Sequence, residues 1–407
     1  MIPIENICTT YGHPMGVVIQ ACRVHFGSAN TEALQSLLQV TEEDWISIVK
    51  LARQHRIRPV VLKALLSCTL PANIRKIIDG ELKLVLRDEL KRTGETIKKA
   101  TLLQENGIEA LPYKGITYSY EFYGEYAMRE SSDMDFAIDP NQLPEADRLL
   151  ASDNYFSAEK KYYNYLGHDL YVKRNRGYNF KKDDQDTQNL IEMHWGMLED
   201  CNLVSGVENT FHFTEKKRAD DQAHATYTLN KFEHFKAIYL HHTVQEGLTY
   251  LKTIIDIAQG LSVVAHPNSD LEKKILFDLV RHHRLEEVAW LSYRLFGVRS
   301  SFTTNSKATM ERLEKFPFLI QLRSIKKQGS YSFLNYFSYH SRLLWARIFF
   351  VQGTIPTLLF LLKAVGRVFT YDIDDYKWAK IPRNLSFLYH FIRPIRKIFF
   401  PSNPLHR

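Results

Sequence analysis

The stretch SSDMDFAI at residues 131–138 decides the fold, because it places two acidic residues one position apart in an otherwise apolar strand pattern. Alternate side chains of a β-strand point to the same face, so Asp133 and Asp135 project together while the apolar side chains between them face a core. Two carboxylates this close repel each other unless a cation lies between them. A hard divalent ion prefers oxygen ligands, so we predict a strand that presents a Mg²⁺ or Mn²⁺ site.

The stretch IEALPYKG at residues 108–115 predicts a second strand that ends in a tight turn. Gly115 permits close backbone approach to a phosphate, and the N-terminus of a following helix offers free N–H groups and a favourable dipole. Lys114 adds a positive charge, and the hydroxyls of Thr117 and Ser119 are suited to hydrogen-bond phosphate oxygens. The spacing GxxxxGK[ST] is absent, so the turn is not a P-loop. Together with the two carboxylates, it indicates metal-dependent chemistry on a nucleoside triphosphate.

The stretch LIEMHW at residues 190–195 offers a third carboxylate. By strand alternation Glu192 and His194 share one face, and the apolar residues beside them share the other. One interpretation is that Glu192 joins Asp133 and Asp135 in a single site, with His194 as an accessory residue. The other is that Glu192 and His194 form an exposed polar face on an edge strand. The sequence alone leaves both interpretations open.

An arginine and a pair of histidines are further polar candidates. Arg129 precedes the acidic strand and is expected either to pair with Asp133 or Glu130, or to contact a triphosphate. His241 and His242 lie in a predicted helix, where adjacent residues do not share a face. We therefore predict that the two histidines are not a chelating pair and that they have buried or capping roles.

Length, composition and charge bound the class of protein. With 407 residues, two or three domains are expected, and a content of 45% hydrophobic and 13% aromatic residues supplies a large core. The formal net charge of +7 and the isoelectric point near 9.0 fit a polyanionic ligand but do not require nucleic acid. The four cysteines lie far apart without a CxxC pair, and we interpret them as reduced thiols of a cytoplasmic protein with no zinc site. The N-terminus shows no signal-peptide pattern.

Hydrophobic periodicity changes twice along the chain, which predicts a compact α/β or α+β core at 107–215 between helical regions at 1–106 and 216–407. Candidate strands are 108–113, 132–138, 168–173 and 189–195, with helices over 117–123 and 144–152. The helical regions are predicted to contain 72–104, 232–245, 248–264, 271–296 and 308–316. The longest uncharged apolar stretch, between Arg347 and Lys363, has about 15 residues, whereas a spanning helix needs about 20, so no transmembrane span is predicted.

The C-terminal segment interleaves basic and large apolar residues. The basic residues are Arg342, Arg347, Arg367, Arg393, Arg396 and Lys397. A helical domain with a basic face explains this pattern, and so does peripheral contact with an anionic membrane surface. The helical domain is the favoured interpretation.

The order of these motifs resembles the nucleotidyltransferase superfamily with its polymerase-β-like fold, and more narrowly a group of uncharacterised bacterial nucleotidyltransferase family proteins. The similarity extends from about residue 30 to about residue 400 and rests on an ordered set of motifs. They are YKG at 113–115, Arg129, DMD at 133–135, IEMHW at 191–195, His242, LKTIIDIA at 251–258 and the dipeptide Arg393-Pro394.

The resemblance implies an α+β fold in which helical regions flank a small mixed-sheet core. It also implies metal-dependent transfer of a nucleotidyl group from a nucleoside triphosphate to an acceptor hydroxyl. The implied catalytic and metal-binding carboxylates are Asp133, Asp135 and Glu192, with Glu192 as a ligand or as a base. The implied nucleotide-binding residues are Lys114, Gly115, Thr117, Arg129 and Ser132. The implied acceptor is a sugar, another small molecule, a protein side chain or an RNA end.

Departures from the family pattern support an alternative hypothesis. The usual Gly-Gly or Gly-Ser turn is Lys114-Gly115 here, the gap to Asp133 is longer, and the third carboxylate is Glu192 rather than an aspartate. The usual contact between a serine and phosphate is thereby lost, and one carboxylate oxygen is displaced. The alternative is a catalytically inactive nucleotide-binding or protein-interaction module on the same fold.

Overall fold

The computed structural model describes residues 1–39, 41–182, 190–198, 208–213, 217–218, 227–303, 344, 347–350 and 353–399. The helices are α1 (Ile4–Tyr11), α2 (His13–His25), α3 (Thr31–Gln35), α4 (Glu42–Gln54), α5 (Arg58–Leu66), α6 (Ala72–Glu105), α7 (Gly115–Tyr123), α8 (Leu143–Ser152), α9 (Lys160–Leu166), α10 (His168–Arg174), α11 (Lys231–Leu240), α12 (Leu251–Val263), α13 (Asp270–His283), α14 (Leu285–Phe296), α15 (Thr354–Phe369), α16 (Ile373–Ala379) and α17 (Tyr389–Phe399). The strands are β1 (Leu111–Tyr113), β2 (Met134–Ala137), β3 (Tyr155–Phe156), β4 (Gly177–Lys182), β5 (Leu190–His194), β6 (Lys217–Arg218) and β7 (Tyr227–Thr228). Short 3₁₀ turns lie at Pro140–Gln142 and Arg383–Leu388, and a π-helical turn lies at His241–Gln245.

Five strands form one mixed sheet in the order β1-β2-β5-β4-β3. The β2 and β5 strands run parallel, and the other neighbours are antiparallel. Alternate apolar side chains of this parallel pair, Met134, Phe136, Ile191 and Met193, are buried in one core with residues of α8. The expected α+β class with a small mixed sheet is confirmed, as are the strands predicted around 108–113, 132–138 and 189–195.

Helix α6 connects the two largest hydrophobic cores among the described residues. Its N-terminal part contributes Ile78 to the core of the helical region, and its C-terminal part contributes Leu103 to the core of the sheet. Between these positions, buried Glu89 accepts hydrogen bonds from the backbone N–H and the hydroxyl of Ser131, at 2.9 and 2.7 Å. Helix α6 therefore fixes the segment that enters the acidic strand β2.

The strand predicted at 168–173 is wrong, because these residues form helix α10. Gly167, with a φ of +79°, separates α10 from α9. Asp169 in the first turn and Arg174 in the last turn carry the charges that stabilise a helix dipole. The strand that pairs with β5 is instead β4, whose alternate side chains are buried.

The helices predicted after residue 230 are confirmed where the structure describes them, with different boundaries. The predicted helix at 271–296 is divided into α13 and α14 at Arg284, which adopts a left-handed conformation with a φ of +58°. The predicted helix at 308–316 lies outside the described residues. Helix α12 packs against α7, α11 and α14, which places it beside the turn that precedes α7.

The basic residues of the C-terminal segment differ from the predicted exposed face. Arg393 and Arg396 are buried and both bind the carboxylate of Asp375. Arg347 donates to two backbone carbonyls of the π-helical turn, at 3.1 Å each. These three cations are paired with groups of the protein itself, so they do not form an exposed basic face. Arg342 and the side chain of Arg367 lie outside the described residues.

Helix α15 exposes an apolar face. Its exposed apolar side chains are Ile355, Leu358, Leu359, Leu362, Val365 and Phe369. Among the helices of the described residues, none has both the length and the hydropathy to cross a membrane.

Candidate active site

The parallel pairing of β2 and β5 sets the positions of the carboxylates. Asp135 lies opposite Glu192 in the register, and Ala137 lies opposite His194. Asp135 is buried, with 5% of its surface exposed. Asp133 directly precedes β2 rather than lying within it. The predicted acidic face is therefore formed by Asp135 and Glu192 on the strands, with Asp133 at the entrance to β2.

The backbone of the Lys114-Gly115 turn has a positive φ at Lys114, a conformation that residues other than glycine rarely adopt. Lys114 has a φ of +55°, and its backbone N–H donates to Nε2 of His234 at 2.7 Å. Nδ1 of His234 lies 2.9 Å from a carboxylate oxygen of Glu121, so the ring donates from Nδ1 and accepts at Nε2. A Cβ on Gly115 would lie 3.7 Å from the backbone oxygen of Asp133. The turn therefore lies against the start of the acidic strand.

One oxygen of Asp135 is shared by two side chains. Nζ of Lys114 lies 2.9 Å from Oδ1 of Asp135, and Nε2 of His194 lies 3.0 Å from the same atom. Nε2 of His194 is also 3.2 Å from Oε2 of Glu192. The ligand atoms of Asp135, Glu192 and His194 all lie within 4.8 Å of one another. His194 is 2% exposed, so this part of β5 is a buried site and not an exposed polar edge.

The electrostatics of the site show an excess of negative charge. Burial, followed by repulsion from Asp135 and Glu192, raises the pKa of Asp133 to about 6. Burial also acts to raise the pKa of Asp135, but Lys114 and His194 outweigh it and hold that pKa well below its usual range. Burial acts to lower the pKa of Lys114, and Asp135 more than offsets this, so the ammonium is charged. The raised pKa of Asp133 follows from the excess of carboxylates over positively charged groups in the site.

A divalent cation fits this charge excess. Asp133, Asp135 and Glu192 offer carboxylate oxygens, and His194 offers one imidazole nitrogen beside them. Mg²⁺ and Mn²⁺ prefer donor sets in which oxygen predominates. The residues present therefore form a donor set that fits a divalent cation.

The two hydroxyls that follow the Lys-Gly turn are engaged by the protein itself. Thr117 Oγ1 donates to the backbone oxygen of Lys114 at 2.9 Å, which closes the first turn of α7. Ser119 is fully buried, and its Oγ donates to the backbone oxygen of Glu125 at 2.6 Å. Ser119 also accepts from two backbone N–H groups of the following loop. Its hydroxyl therefore organises that loop, in contrast to the predicted phosphate contact.

Arg129 and Ser132 flank the acidic strand in different environments. Ser132 is exposed, and its hydroxyl lies 3.3 Å from Oδ2 of Asp133. Arg129 is 6% exposed and donates from Nε to Oδ2 of Asp256 at 2.9 Å. The acidic partner of Arg129 is therefore neither of the two residues that sequence proximity suggested.

Asp256 is a functional candidate that the sequence did not identify on its own. Besides Arg129, it accepts a hydrogen bond from the Tyr123 hydroxyl at 2.7 Å and lies 2.9 Å from Nε2 of His242. Burial acts to raise its pKa, but Arg129 and His242 hold that pKa well below the usual range. The available signal was its position as the one acidic residue in the apolar stretch at 251–258, where a carboxylate needs partners.

The π-helical turn brings the two adjacent histidines to one carboxylate. Nδ1 of His242 lies 2.8 Å from Oε2 of Glu246, and Nε2 of His241 lies 3.6 Å from Oε1 of the same residue. The sequence prediction assumed α-helical geometry, whereas the π-helical turn brings one ligand atom of each histidine and one of Glu246 within 4.8 Å of one another. His242 has the buried position that was predicted. Burial, followed by the positive charge of Lys114, lowers the pKa of His241 to about 4. The histidine cluster is therefore electrostatically connected to the Lys-Gly turn.

Gly177 on β4 makes room for His194. A Cβ at Gly177 would lie 2.5 Å from the backbone oxygen of Met193 and 2.7 Å from Nδ1 of His194. On its other side, the His194 ring makes an edge contact with Tyr113 at a centroid distance of 5.8 Å. The sequence did not reveal this role, because β4 was not among the predicted strands.

The comparisons with known proteins give one family match. The model of a family described as uncharacterised nucleotidyltransferase matches residues 41–298, more than half of the chain. The matched region runs from the start of helix α4 beyond the end of α14 and includes both carboxylate strands and the Lys-Gly turn. No curated protein and no solved structure gives a significant match.

Proposed function

Because the chain belongs to the uncharacterised nucleotidyltransferase family, we propose that it transfers a nucleotidyl group from a nucleoside triphosphate to an acceptor hydroxyl in a metal-dependent reaction. The acceptor oxygen forms a bond to the α-phosphorus as the bond from that phosphorus to the bridging oxygen breaks. Pyrophosphate leaves, and the hydroxyl proton passes to a base or to solvent.

The observation that supports this proposal most strongly is the placement of Asp135 beside Glu192 on parallel strands, next to the Lys-Gly turn. Metal-dependent phosphoryl chemistry needs carboxylates that converge on one point and positive charge close to the phosphates. The site supplies both groups in a buried setting, where electrostatic interactions are stronger than in water.

Each residue has a role that follows from its contacts. Asp133, Asp135 and Glu192 would hold Mg²⁺ or Mn²⁺, which when bound neutralises phosphate charge and lowers the pKa of the acceptor hydroxyl. Lys114 provides the cation nearest to these carboxylates and is suited to bind the phosphates. Glu192 serves as the third ligand or as the base. His194 holds Asp135 and Glu192 together through its Nε2.

The backbone at the turn completes the proposed nucleotide site. Gly115 allows close approach of a phosphate to the start of α7, and Thr117 stabilises that helix start. Ser132 is exposed beside Asp133, where its hydroxyl is accessible to a nucleotide. Arg129 binds Asp256 directly and interacts with the site through electrostatic attraction between its guanidinium and the carboxylate of Asp135.

Transfer of label from each [α-³²P]nucleoside triphosphate to a panel of acceptors tests this proposal. The panel contains sugars, other small hydroxylated molecules, proteins and RNA ends. We expect label on one acceptor class in the presence of Mg²⁺ or Mn²⁺, with loss of at least 100-fold in the Asp133→Asn variant. Full transfer by that variant, or transfer unaffected by chelator, would contradict the assigned site.

An inactive nucleotide-binding or interaction module is the second candidate. The Lys114–Asp135 ion pair favours it, because an ammonium already neutralises one of the carboxylates that an active enzyme needs. This candidate predicts Mg²⁺-dependent nucleotide binding without transfer to any acceptor. Incorporation of labelled nucleotide into any member of the panel would exclude it.

A cytoplasmic location fits a reaction that consumes nucleoside triphosphates and forms part of the proposal. Peripheral membrane contact through the C-terminal region remains a prediction, now supported by the exposed apolar face of α15 rather than by the buried Arg393 and Arg396. Sedimentation with anionic liposomes at low salt tests it. Protein that stays in the supernatant with anionic liposomes would contradict the prediction of membrane contact.

A further inference from the structure

The π-helical turn after α11 gives an unusual alignment of three potential metal ligands. The backbone N–H of Glu246 donates to the oxygen of His241 at 2.9 Å, a spacing of five residues. This spacing aligns His241 with Glu246, while His242 reaches Glu246 across the ordinary spacing of four residues. A regular α-helix would direct the two histidines to different sides. Turns of this kind occur frequently at functional sites.

The three side chains point their ligand atoms at a common centre. One imidazole nitrogen from each histidine and one carboxylate oxygen of Glu246 lie within 4.8 Å of one another. Glu246 is partly exposed, with 32% of its side chain accessible, and the His241 side chain is 19% accessible. The cluster is therefore reachable by an ion from solvent.

The second nitrogen of His242 is held by a buried carboxylate. Nε2 of His242 lies 2.9 Å from Oδ2 of Asp256, and Asp256 is itself fixed by Arg129 and Tyr123. Metal-bound histidines characteristically donate their other N–H to a carboxylate, which fixes the ring and directs the free nitrogen at the metal. With Nε2–H donated to Asp256, Nδ1 of His242 is the nitrogen that faces Glu246.

The hydrogen-bond geometry of His242 also favours a cation beside Nδ1. Both ring nitrogens lie within 2.9 Å of a carboxylate oxygen, yet a neutral imidazole has only one N–H to donate. With its one N–H donated to Asp256, the ring presents the lone pair of Nδ1 to Glu246, and a positive ion coordinated by both atoms satisfies this contact. The nearby nitrogen of His241 supplies a third donor to such an ion.

We propose that His241, His242 and Glu246 form a second metal site, with Asp256 orienting His242. Two imidazole nitrogens with one carboxylate form a donor set that selects Zn²⁺ or a similar transition ion over Mg²⁺. Three protein ligands leave a coordination position for water or for a ligand. The site uses none of the carboxylates of β2 and β5, and the proposal does not depend on the proposed transfer reaction.

Binding of Co²⁺ to the full chain tests the site without any measurement of activity. Co²⁺ is a spectroscopically visible substitute for Zn²⁺, and equilibrium dialysis of chelator-treated protein gives the number of ions bound. We expect His241→Ala to bind one equivalent of Co²⁺ fewer than the parent chain and to lose the visible absorption of that ion. This corresponds to at least a tenfold loss of affinity at the histidine cluster. His266→Ala, which removes an exposed histidine, is the matched control and should bind as the parent chain does.

Two further variants keep the result interpretable. Glu192→Gln alters the β5 carboxylate and should retain the equivalent bound at the histidine cluster, whether or not the protein has transferase activity. Glu246→Gln preserves size and hydrogen bonding and should lose the ion, which covers the case in which His241→Ala fails to fold. Equal Co²⁺ binding by folded His241→Ala or Glu246→Gln and by His266→Ala would overturn the proposal and show that the contacts between His242 and Glu246 are hydrogen bonds without a metal ion.

Discussion

Asp135 and Glu192 are direct Cα partners across the parallel strands β2 and β5. This pairing converts two motifs that are distant in the sequence into one acidic site. It also explains the position of Lys114, whose ammonium lies on the same Asp135 oxygen that His194 contacts. Asp133 and Asp135 differ in their electrostatic environments, so replacing each of them by asparagine is expected to change the stability of the protein in opposite directions.

Replacement of Asp133 by asparagine should stabilise the metal-free protein at pH 7.5. The folded-state pKa of Asp133 is raised from 3.8 to about 6, so above pH 6 its ionised form opposes folding. One pKa unit corresponds to about 1.4 kcal/mol, and we expect a gain of about 1–3 kcal/mol in the free energy of unfolding. Urea denaturation with chelator measures it. Asp79→Asn, which removes one charge from α6, is the control, and a loss of stability in Asp133→Asn would contradict the prediction.

Replacement of Asp135 by asparagine should have the opposite effect. The buried Lys114 ammonium would lose its anionic partner, and breaking a buried ion pair from one side costs about 3–5 kcal/mol. Thermal melting of Asp135→Asn and of the double variant Asp135→Asn/Lys114→Met measures this effect. We expect the double variant to recover part of the loss. A melting temperature of Asp135→Asn equal to that of the parent would show that the ion pair between Lys114 and Asp135 contributes nothing to stability.

Affinity for Mg²⁺ should rise with pH between 5 and 7. Below pH 6 a proton occupies Asp133 and competes with the ion, whereas above pH 6 the carboxylate is free. Competition at one group with a pKa of about 6 gives about a tenfold rise between pH 5 and pH 7. Calorimetric titration at several pH values measures the rise. In Asp133→Asn the rise should disappear, and an equal rise in that variant would assign the titration to another group.

Gly177→Ala should displace His194 and thereby disturb the carboxylate site. The new Cβ would approach the backbone oxygen of Met193 and the ring of His194 closer than 3.0 Å, so His194 must move. We expect a loss of about 1–3 kcal/mol in stability and weaker Mg²⁺-dependent nucleotide binding. Gly80→Ala places a Cβ in open space on α6 and serves as the control. Nucleotide binding equal to that of the parent would show that the position of His194 is unimportant.

Local patterns in the sequence were sufficient to predict the central part of the fold. The alternation in residues 131–138 and 190–195 correctly predicted two strands with an apolar core face and a polar face, but it left open whether Glu192 lies beside Asp135. This succeeded because side-chain direction in a strand depends only on the position along it. The turn at Lys114-Gly115 was likewise identified from the residues that form it.

Partners distant in the sequence could not be predicted in the same way. Arg129 pairs with Asp256, 127 positions later, and nothing near Arg129 distinguishes that partner from closer acidic residues. The π-helical turn at His241–Gln245 also escaped, because the periodicity of α11 continues into it without a proline or glycine. Both features depend on tertiary packing around α12.

Binding of nucleoside triphosphates, measured by isothermal titration with and without Mg²⁺, tests the assigned site most directly. The parent chain is compared with Asp133→Asn, which should remain folded, and with the charge control Asp79→Asn. We expect at least one nucleotide to bind only with Mg²⁺, with binding lost in Asp133→Asn and kept in Asp79→Asn. Binding that is independent of Mg²⁺ and of Asp133, or no binding of any nucleotide, would contradict a nucleotidyltransferase site at the paired strands β2 and β5.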